Sequence, residues 1–237
     1  AANNEQGGGN VAVFSFEMST EQLASRLLSS SAGVSTTAMA QGNLKSDEFT
    51  RIATAADELS SLNIFIDDTP QLTIPQMRSR ARRLKRKHSI DFIVVDYLQL
   101  MRGAGRMSDN RVNEISEISQ GLKALARELN VPVLALSQLS RSVENRENKR
   151  PLLSDLRESG SIEQDADIVM FLYREAYYKE REFGAEPTPE QQAKLEEIKN
   201  ISELLISKNR KGSTGQFKLI FDGPTTTFKD YTPAAYE

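Results

Sequence analysis

Four apolar residues in a row, Phe92-Ile93-Val94-Val95, end on an acid, Asp96, inside the stretch from Ile90 to Leu100. A strand with one wet face alternates polar and apolar side chains. An unbroken, β-branched run predicts instead a strand covered on both faces, as in the parallel sheet of an α/β domain. Open α/β sheets bind ligands in the crevice at the carboxyl ends of their strands, and Asp96 falls at such an end. A carboxylate there is placed to hold a hard cation such as Mg²⁺ beside a phosphate. A hydrophobic strand followed by Asp is common, so this signal needs company.

Neighbouring stretches supply it. Val11-Ala12-Val13-Phe14-Ser15-Phe16 predicts a strand ending at Glu17, and Ser19 then caps a helix carrying Leu23, Ala24, Leu27 and Leu28 at helical spacing. Phe49, Ile52, Ala53, Ala56 and Leu59 mark a second amphipathic helix, and Ile64-Phe65-Ile66 a short strand ending at Asp67-Asp68. Thr73 caps a helix with Ile74, Met77, Ala81 and Leu84 on one side and Arg78, Arg80, Arg82, Arg83, Lys85, Arg86 and Lys87 on the other. That basic face is either a nucleic-acid surface or a solvated helix face at a subunit contact; charge runs usually face water.

Val112, Ile115, Ile118, Leu122, Leu125 and Leu129 define a long amphipathic helix stopped near Asn130, and Val131–Ser137 a strand with Gln138 at its carboxyl end. The basic region 140–160 reads as long mobile loops. Asp167–Tyr173 reads as another buried strand, and residues 178–200 as an exposed helical insertion with a capping box, Thr188-x-x-Gln191, and Pro189 at its first position. The tail turns antiparallel, with strands at Leu204–Ser207 and Phe217–Phe221 and a turn at Asp222-Gly223-Pro224. The order predicts an α/β fold, mostly parallel in its core and flanked by helices, with a C-terminal antiparallel hairpin.

Composition narrows the chemistry. The chain of 237 residues carries a formal net charge of −3, so nucleic-acid binding requires a local basic surface. It has no Cys and one His, His88. Disulfides, cysteine metal sites and His-based triads are therefore excluded or disfavoured, and a reducing cytosol is compatible. No apolar run is long enough to span a membrane, and the glycine-rich lead-in over residues 1–10 lacks the parts of a signal peptide.

Phosphoryl transfer from a nucleoside triphosphate needs a carboxylate to position Mg²⁺, a group to orient the attacking water, and a cation to offset charge on the γ-phosphate. Asp96, Glu17, Gln138 and the pair Lys208/Arg210 supply those residue types after four strands. Each has a simpler alternative: Glu17 as a helix N-terminal acid, Gln138 as a surface amide, Lys208 and Arg210 as solvated turn cations. Their joint occurrence at strand ends favours nucleotide chemistry. One expected part is absent. No G-x-x-x-x-G-K-[ST] phosphate loop occurs in the chain, and Arg102-Gly103-Ala104-Gly105-Arg106 lacks its lysine.

The segments Val13–Ser19, Phe92–Leu100, Leu136–Arg141, Asp155–Asp167 and Ser207–Gly212 together resemble, in order and over nearly the whole chain, the motifs of the bacterial replicative DNA helicase of DnaB type. The Asp155–Asp167 segment is the specific one; the Asp96 stretch is shared with many RecA-like ATPases. The resemblance implies a RecA-like motor domain in a homo-hexameric ring that hydrolyses ATP with Mg²⁺, moves 5′→3′ on single-stranded DNA, and meets a helicase loader and primase. By the same resemblance, Glu17 activates water and Asp96 is the Walker B acid. Gln138 links the γ-phosphate to the DNA loops, while Lys208 and Arg210 reach the adjacent subunit's site. Arg26 faces the nucleotide, and Arg157, Glu158 and Gly160 track the DNA backbone, a sequence-independent contact. It also implies that the chain is a C-terminal fragment, such as one half of a gene interrupted within the phosphate loop. The missing strand is then expected beside that of Asp96. Another RecA-like ATPase, of recombinase or clock type, and a non-enzymatic DNA- or partner-binding module are the alternatives.

Overall fold

A computed structural model describes residues 8–103 and 111–232, the side chains of residues 157–159 excepted. Most of the glycine loop, from Ala104 on, lies outside the described residues.

The elements follow the order β1 (Val11–Ser15), α1 (Thr20–Ala32), α2 (Thr36–Gln41), α3 (Ser46–Ser60), β2 (Ile64–Asp67), α4 (Ile74–His88), β3 (Phe92–Asp96), α5 (Arg111–Leu129) and β4 (Val133–Ala135). A short α6 (Gly160–Asp165), β5 (Ile168–Tyr173), α7 (Glu175–Phe183), α8 (Pro189–Ile198), β6 (Ile201–Asn209), β7 (Gly215–Asp222) and β8 (Thr227–Asp230) complete it. The first four strands form one parallel sheet in the order β2-β1-β3-β4. The last four form an antiparallel meander in sequence order. The predicted parallel, helix-flanked core is present, and the predicted terminal hairpin is part of a larger antiparallel sheet. β5 joins that sheet, through β6.

Local signals in the sequence become helix ends. Ser19 and Gln22 form a reciprocal capping box at α1, as Thr73 and Gln76 do at α4 and Thr188 and Gln191 at α8. Each box satisfies N–H groups that a helix start leaves without partners. Asn130, just past α5, takes a left-handed φ of 51°, a conformation Asn tolerates better than most residues.

The core lies on one face of the parallel sheet. Ala12, Phe14, Ile93 and Val95 are fully buried together with Met77 and Ala81 of α4 and Ile115, Ile118 and Leu125 of α5. Each large side chain buried here stabilises the fold by about 1.5–3 kcal/mol before entropy is counted. The opposite face is less covered than the sequence predicts. Phe92 and Val94 are only half-buried, while Leu134 and Leu136 are exposed. β5 likewise alternates: Val169, Phe171 and Tyr173 are buried, but Ile168, Met170 and Leu172 are 51%, 46% and 54% exposed. An apolar run marks a strand that can be covered on both sides; the cover itself must come from other elements.

The strand of Asp96 is not the one left without a neighbour. β3 is paired on both sides, by β1 and β4. Among the described residues, the unpaired edges of the parallel sheet are those of β2 and β4, and β5 has an unpaired edge in the other sheet. The expectation of a missing strand beside β3 is therefore corrected, because β4 returns to that position after α5.

α1–α3 form a satellite cluster in which Ala32, Val34 and Ala55 are buried against Leu28, Met39, Leu44 and Ile52. The predicted apolar stripe of α3 is mostly outside it, with Phe49 66% exposed. Residues 140–160 carry local structure within the expected loop region. They contain 3₁₀ turns at Arg141–Asn145 and Leu153–Ser159, with Val143, Asp155 and Leu156 buried.

α4 and α5 approach closely at Gly121, where an added Cβ would lie 2.6 Å from Cγ2 of Ile74. Alanine has the better helix propensity by about 1 kcal/mol, but overpacking costs about 1–3 kcal/mol. Gly121→Ala is expected to lower the midpoint of thermal unfolding, measured by circular dichroism; an unchanged or raised midpoint contradicts the tight contact.

Candidate nucleotide site

Parallel pairing brings the strand ends together. Ser15 pairs with Asp96 in register, and the Phe16 N–H donates to the Asp96 carbonyl at 2.7 Å. Buried Ser15 then shapes the turn into α1: its hydroxyl donates to the Met18 carbonyl at 2.7 Å and accepts from the Met18 N–H at 3.3 Å. Glu17 is held at the tip of that turn with its side chain exposed. The next acids along the sheet edge have structural partners. Asp67 accepts from Arg80 at 2.6 and 2.8 Å, and Asp68 caps α1 by accepting from the N–H and hydroxyl of Thr20 at 2.8 and 3.0 Å.

Asp96 has a perturbed acidity. Partial burial pushes its pKa up, the nearby Glu17 carboxylate pushes it further, and the Arg26 guanidinium pulls it down. Glu17 and Arg26 are thus the charges that Asp96 feels, and both were singled out from the sequence. Two carboxylates close together with one cation resist holding two negative charges unless a further cation joins them. Among the described residues no group of three or more His, Cys, Asp or Glu stands ready to hold a metal alone. The donor set therefore suits Mg²⁺ that keeps phosphate and water ligands, its usual habit.

On the other side of β3, the Leu136 N–H donates to the Val95 carbonyl at 2.9 Å and the Leu98 N–H to the Leu136 carbonyl at 3.0 Å. The chain beyond β4 is thereby drawn alongside residues 96–98. Gln138 is exposed there, and Gln99 holds its backbone at both ends. The Gln99 amide donates to the Gln138 carbonyl at 3.0 Å, and its oxygen accepts from the Gln138 N–H at 3.1 Å. The sequence stretch contained Gln99, but nothing in its spacing revealed this role.

The remaining candidates lie elsewhere. Lys208 and Arg210, at the end of β6, donate to the Glu163 and Gln164 carbonyls of α6, and Arg210 lies 3.7 Å from Asp167. They are on the antiparallel sheet and are not among the charges that shift Asp96. Arg157 and Glu158 belong to the 3₁₀ turn Leu153–Ser159, their side chains lying outside the described part, and Gly160 opens α6 with open space around it. The basic run of α4 is divided. Arg78 and Arg82 pair with Glu128, Arg80 with Asp67, and the Lys85 ammonium donates to the Ile90 carbonyl. Arg83, Arg86 and Lys87 are exposed.

A family model for the DnaB-like helicase C terminal domain matches residues 1–230. The chain belongs to this family. It is 54% identical over 226 residues to the replicative DNA helicase DnaB of Rickettsia bellii (strain RML369-C), which covers 92% of this chain and 45% of that protein. It is 49% identical over 212 residues to that of Geobacillus stearothermophilus, covering 90% of this chain and 44% of that protein. The chain thus spans less than half the length of these relatives. Among solved structures, a DnaB-like replicative helicase, described with its interactions with primase, superposes with a TM-score of 0.82 at 38% identity, covering 94% of this chain and 51% of that one. A second solved chain, described as an ATPase domain, superposes with a TM-score of 0.83 at 38% identity, covering 94% of this chain and 75% of that one. The DnaB-like fold is thus the RecA-like α/β architecture that the sequence predicts, and the recombinase and clock-type alternatives fall away.

The raised pKa of Asp96 has a stability consequence. Between the ordinary aspartate pKa and the raised one, the folded state holds more protons than the unfolded state, so stability falls as pH rises through that window and the cost is fully present above it. Asp96→Asn is expected to raise the melting temperature at pH 7, measured by circular dichroism. The gain should shrink toward zero as pH falls to the ordinary aspartate range. A melting temperature lowered equally at every pH contradicts the reading.

Proposed function

We propose that this chain is the greater part of an ATP-driven DNA helicase motor that works in a homo-hexameric ring. The ring translocates 5′→3′ on single-stranded DNA and unwinds duplex at the replication fork in the cytoplasm, with a helicase loader and primase as partners. The observation that carries this reading is the meeting of Glu17, Asp96 and Arg26 at the carboxyl ends of β1 and β3, within a DnaB-like domain.

Each role follows from chemistry and position. Asp96 would hold Mg²⁺, whose charge neutralises the phosphates and the developing charge in transfer. Glu17, exposed at the tip of its turn, orients and deprotonates the attacking water. Gln138, at the same strand edge and fixed by its backbone, is placed to sense the γ-phosphate. Arg26 offers a charge to the nucleotide beside Asp96. Lys208 and Arg210 stand on the other sheet, which supports a role at the site of a neighbouring subunit. Arg157, Glu158 and Gly160 hold the DNA backbone, partly through main-chain amides. Single-strand binding that follows phosphates is insensitive to sequence, as translocation requires.

The phosphate loop is the part this chain does not carry, and its lysine and hydroxyl hold the phosphates and Mg²⁺. By itself the polypeptide is expected to bind ATP very poorly, measured by calorimetry; tight binding refutes that. Joined to a segment bearing G-x-x-x-x-G-K-[ST], it should hydrolyse ATP and displace a strand from a forked duplex. In that joined protein Glu17→Gln should retain ATP binding and lower turnover by about 100-fold or more. Undiminished turnover removes Glu17 from the role. The lack of the loop favours one second reading for the polypeptide alone, a DNA- or partner-binding module. Salt-dependent binding to single strands that ATP leaves unchanged, in the joined protein too, would establish it.

A further inference from the structure

Between Gln138 and the DNA-backbone turn Leu153–Ser159 the chain makes a long excursion, and it is fastened at both ends. At one end Gln99, three residues past Asp96, grips Gln138. Its amide nitrogen donates to the Ser137 hydroxyl at 2.9 Å and to the Gln138 carbonyl at 3.0 Å, while its oxygen accepts from the Gln138 N–H at 3.1 Å. Arg111 of α5 donates to the Gln99 carbonyl, which holds the gripping residue in turn.

At the other end stands Asp155, 3% exposed. Its carboxylate takes a two-point ion pair from Arg146, at 3.0 and 2.7 Å, and the Leu152 N–H at 2.7 Å. Its carbonyl accepts from the Ser140 N–H at 2.9 Å, two residues after Gln138. The second Arg146 nitrogen also donates to the Arg150 carbonyl at 2.9 Å. Arg150 in turn reaches Glu203 of β6 at 2.6 Å and lies over the Tyr173 ring of β5. A planar guanidinium in a fork with a carboxylate fixes direction as well as distance.

The two grips share the short span from Gln138 to Ser140. Through the bond from Ser140, the chain just past Gln138 is tied to Asp155, which lies within the turn that carries Arg157. We propose that Gln99 and the Arg146–Asp155 pair are positioning residues forming one brace, which converts displacement at Gln138 into displacement of the turn Leu153–Ser159 and so couples nucleotide hydrolysis to DNA. None of the three is among the residues assigned above to the nucleotide. The proposal rests on the helicase reading above.

The test uses the chain joined to its phosphate-loop segment, with Gln99→Leu, Arg146→Lys and the double variant. Gln99→Leu keeps bulk without the amide. Arg146→Lys keeps the charge without the fork, and so avoids the uncompensated buried carboxylate that Arg146→Ala would leave. Hydrolysis without DNA and the KM for ATP should stay within about twofold, while stimulation by oligo(dT) falls by about fivefold or more, a usual size for coupling between sites. The double variant should lose little more than either single one, because one brace is cut only once. Hydrogen exchange should quicken roughly fivefold at the Gln138 amide in Gln99→Leu, the factor for one lost hydrogen bond. Full stimulation in both single variants, additive losses in the double, or unchanged exchange at Gln138 each overturns the brace. A parent protein that hydrolyses no ATP overturns the helicase reading and the coupling with it, whereas a stimulated parent with unaffected variants overturns only the brace.

Discussion

Parallel pairing of β1, β3 and β4 is the constraint on which the site depends. Neighbouring strands in a parallel sheet end at the same edge, so residues far apart in sequence arrive together. Register places Ser15 beside Asp96, and the hydrogen bond from Leu136 to Val95 draws the chain after β4 past the end of the same strand. The register is held from below: Ala12, Phe14, Ile93 and Val95 all point into the α4–α5 layer, and a slip of one residue would turn that face outward. Burial of four side chains thus fixes the geometry of charges that are themselves half in water.

The site itself is held at some cost. Asp96 resists ionisation because burial and Glu17 both oppose it, with Arg26 as partial relief. The same sheet edge shows how acids that serve structure are treated. Asp67 and Asp68 are hydrogen-bonded, to Arg80 and Thr20, and their pKa values are lowered. The two acids with hydrogen-bonding partners are held ionised, whereas burial and then Glu17 push Asp96 the other way, a contrast that supports its proposed role in the site.

The antiparallel half serves a different end. Lys208 and Arg210 are set at the end of β6, on the other sheet from Asp96, and each closes on a carbonyl of α6 within the same chain. The exposed apolar side chains of β4 and β5 and the residue just past β4, Leu134, Leu136, Ile168, Met170 and Leu172, lie along strands with unpaired edges. Among the described residues these strands have the composition of interior strands but stand at the edges of their sheets.

Much of this was legible in the chain. The apolar runs located β1, β3, β4 and β5; the caps Ser19 and Thr73 and the capping box at Thr188 located the starts of α1, α4 and α8; and the acids and amide at strand ends named Glu17, Asp96 and Gln138 as candidates, because these signals are local and follow residue type and the period of the backbone. Partnership was not legible. That β3 is paired on both sides, that β5 joins the antiparallel sheet, and that Phe49 faces water depend on which elements meet across long stretches of chain. So does the use of Gln99 and Asp155. Both lie in motif stretches, but nothing local marks their partners: only tertiary contact gives Gln99 the backbone of Gln138 and Asp155 the guanidinium of Arg146. The sequence by itself determined the strands, the helix ends and the chemistry available at the sheet edge, through periodicity and residue type. Tertiary structure alone decided which groups are neighbours, because proximity is set by register and packing and carries no local mark.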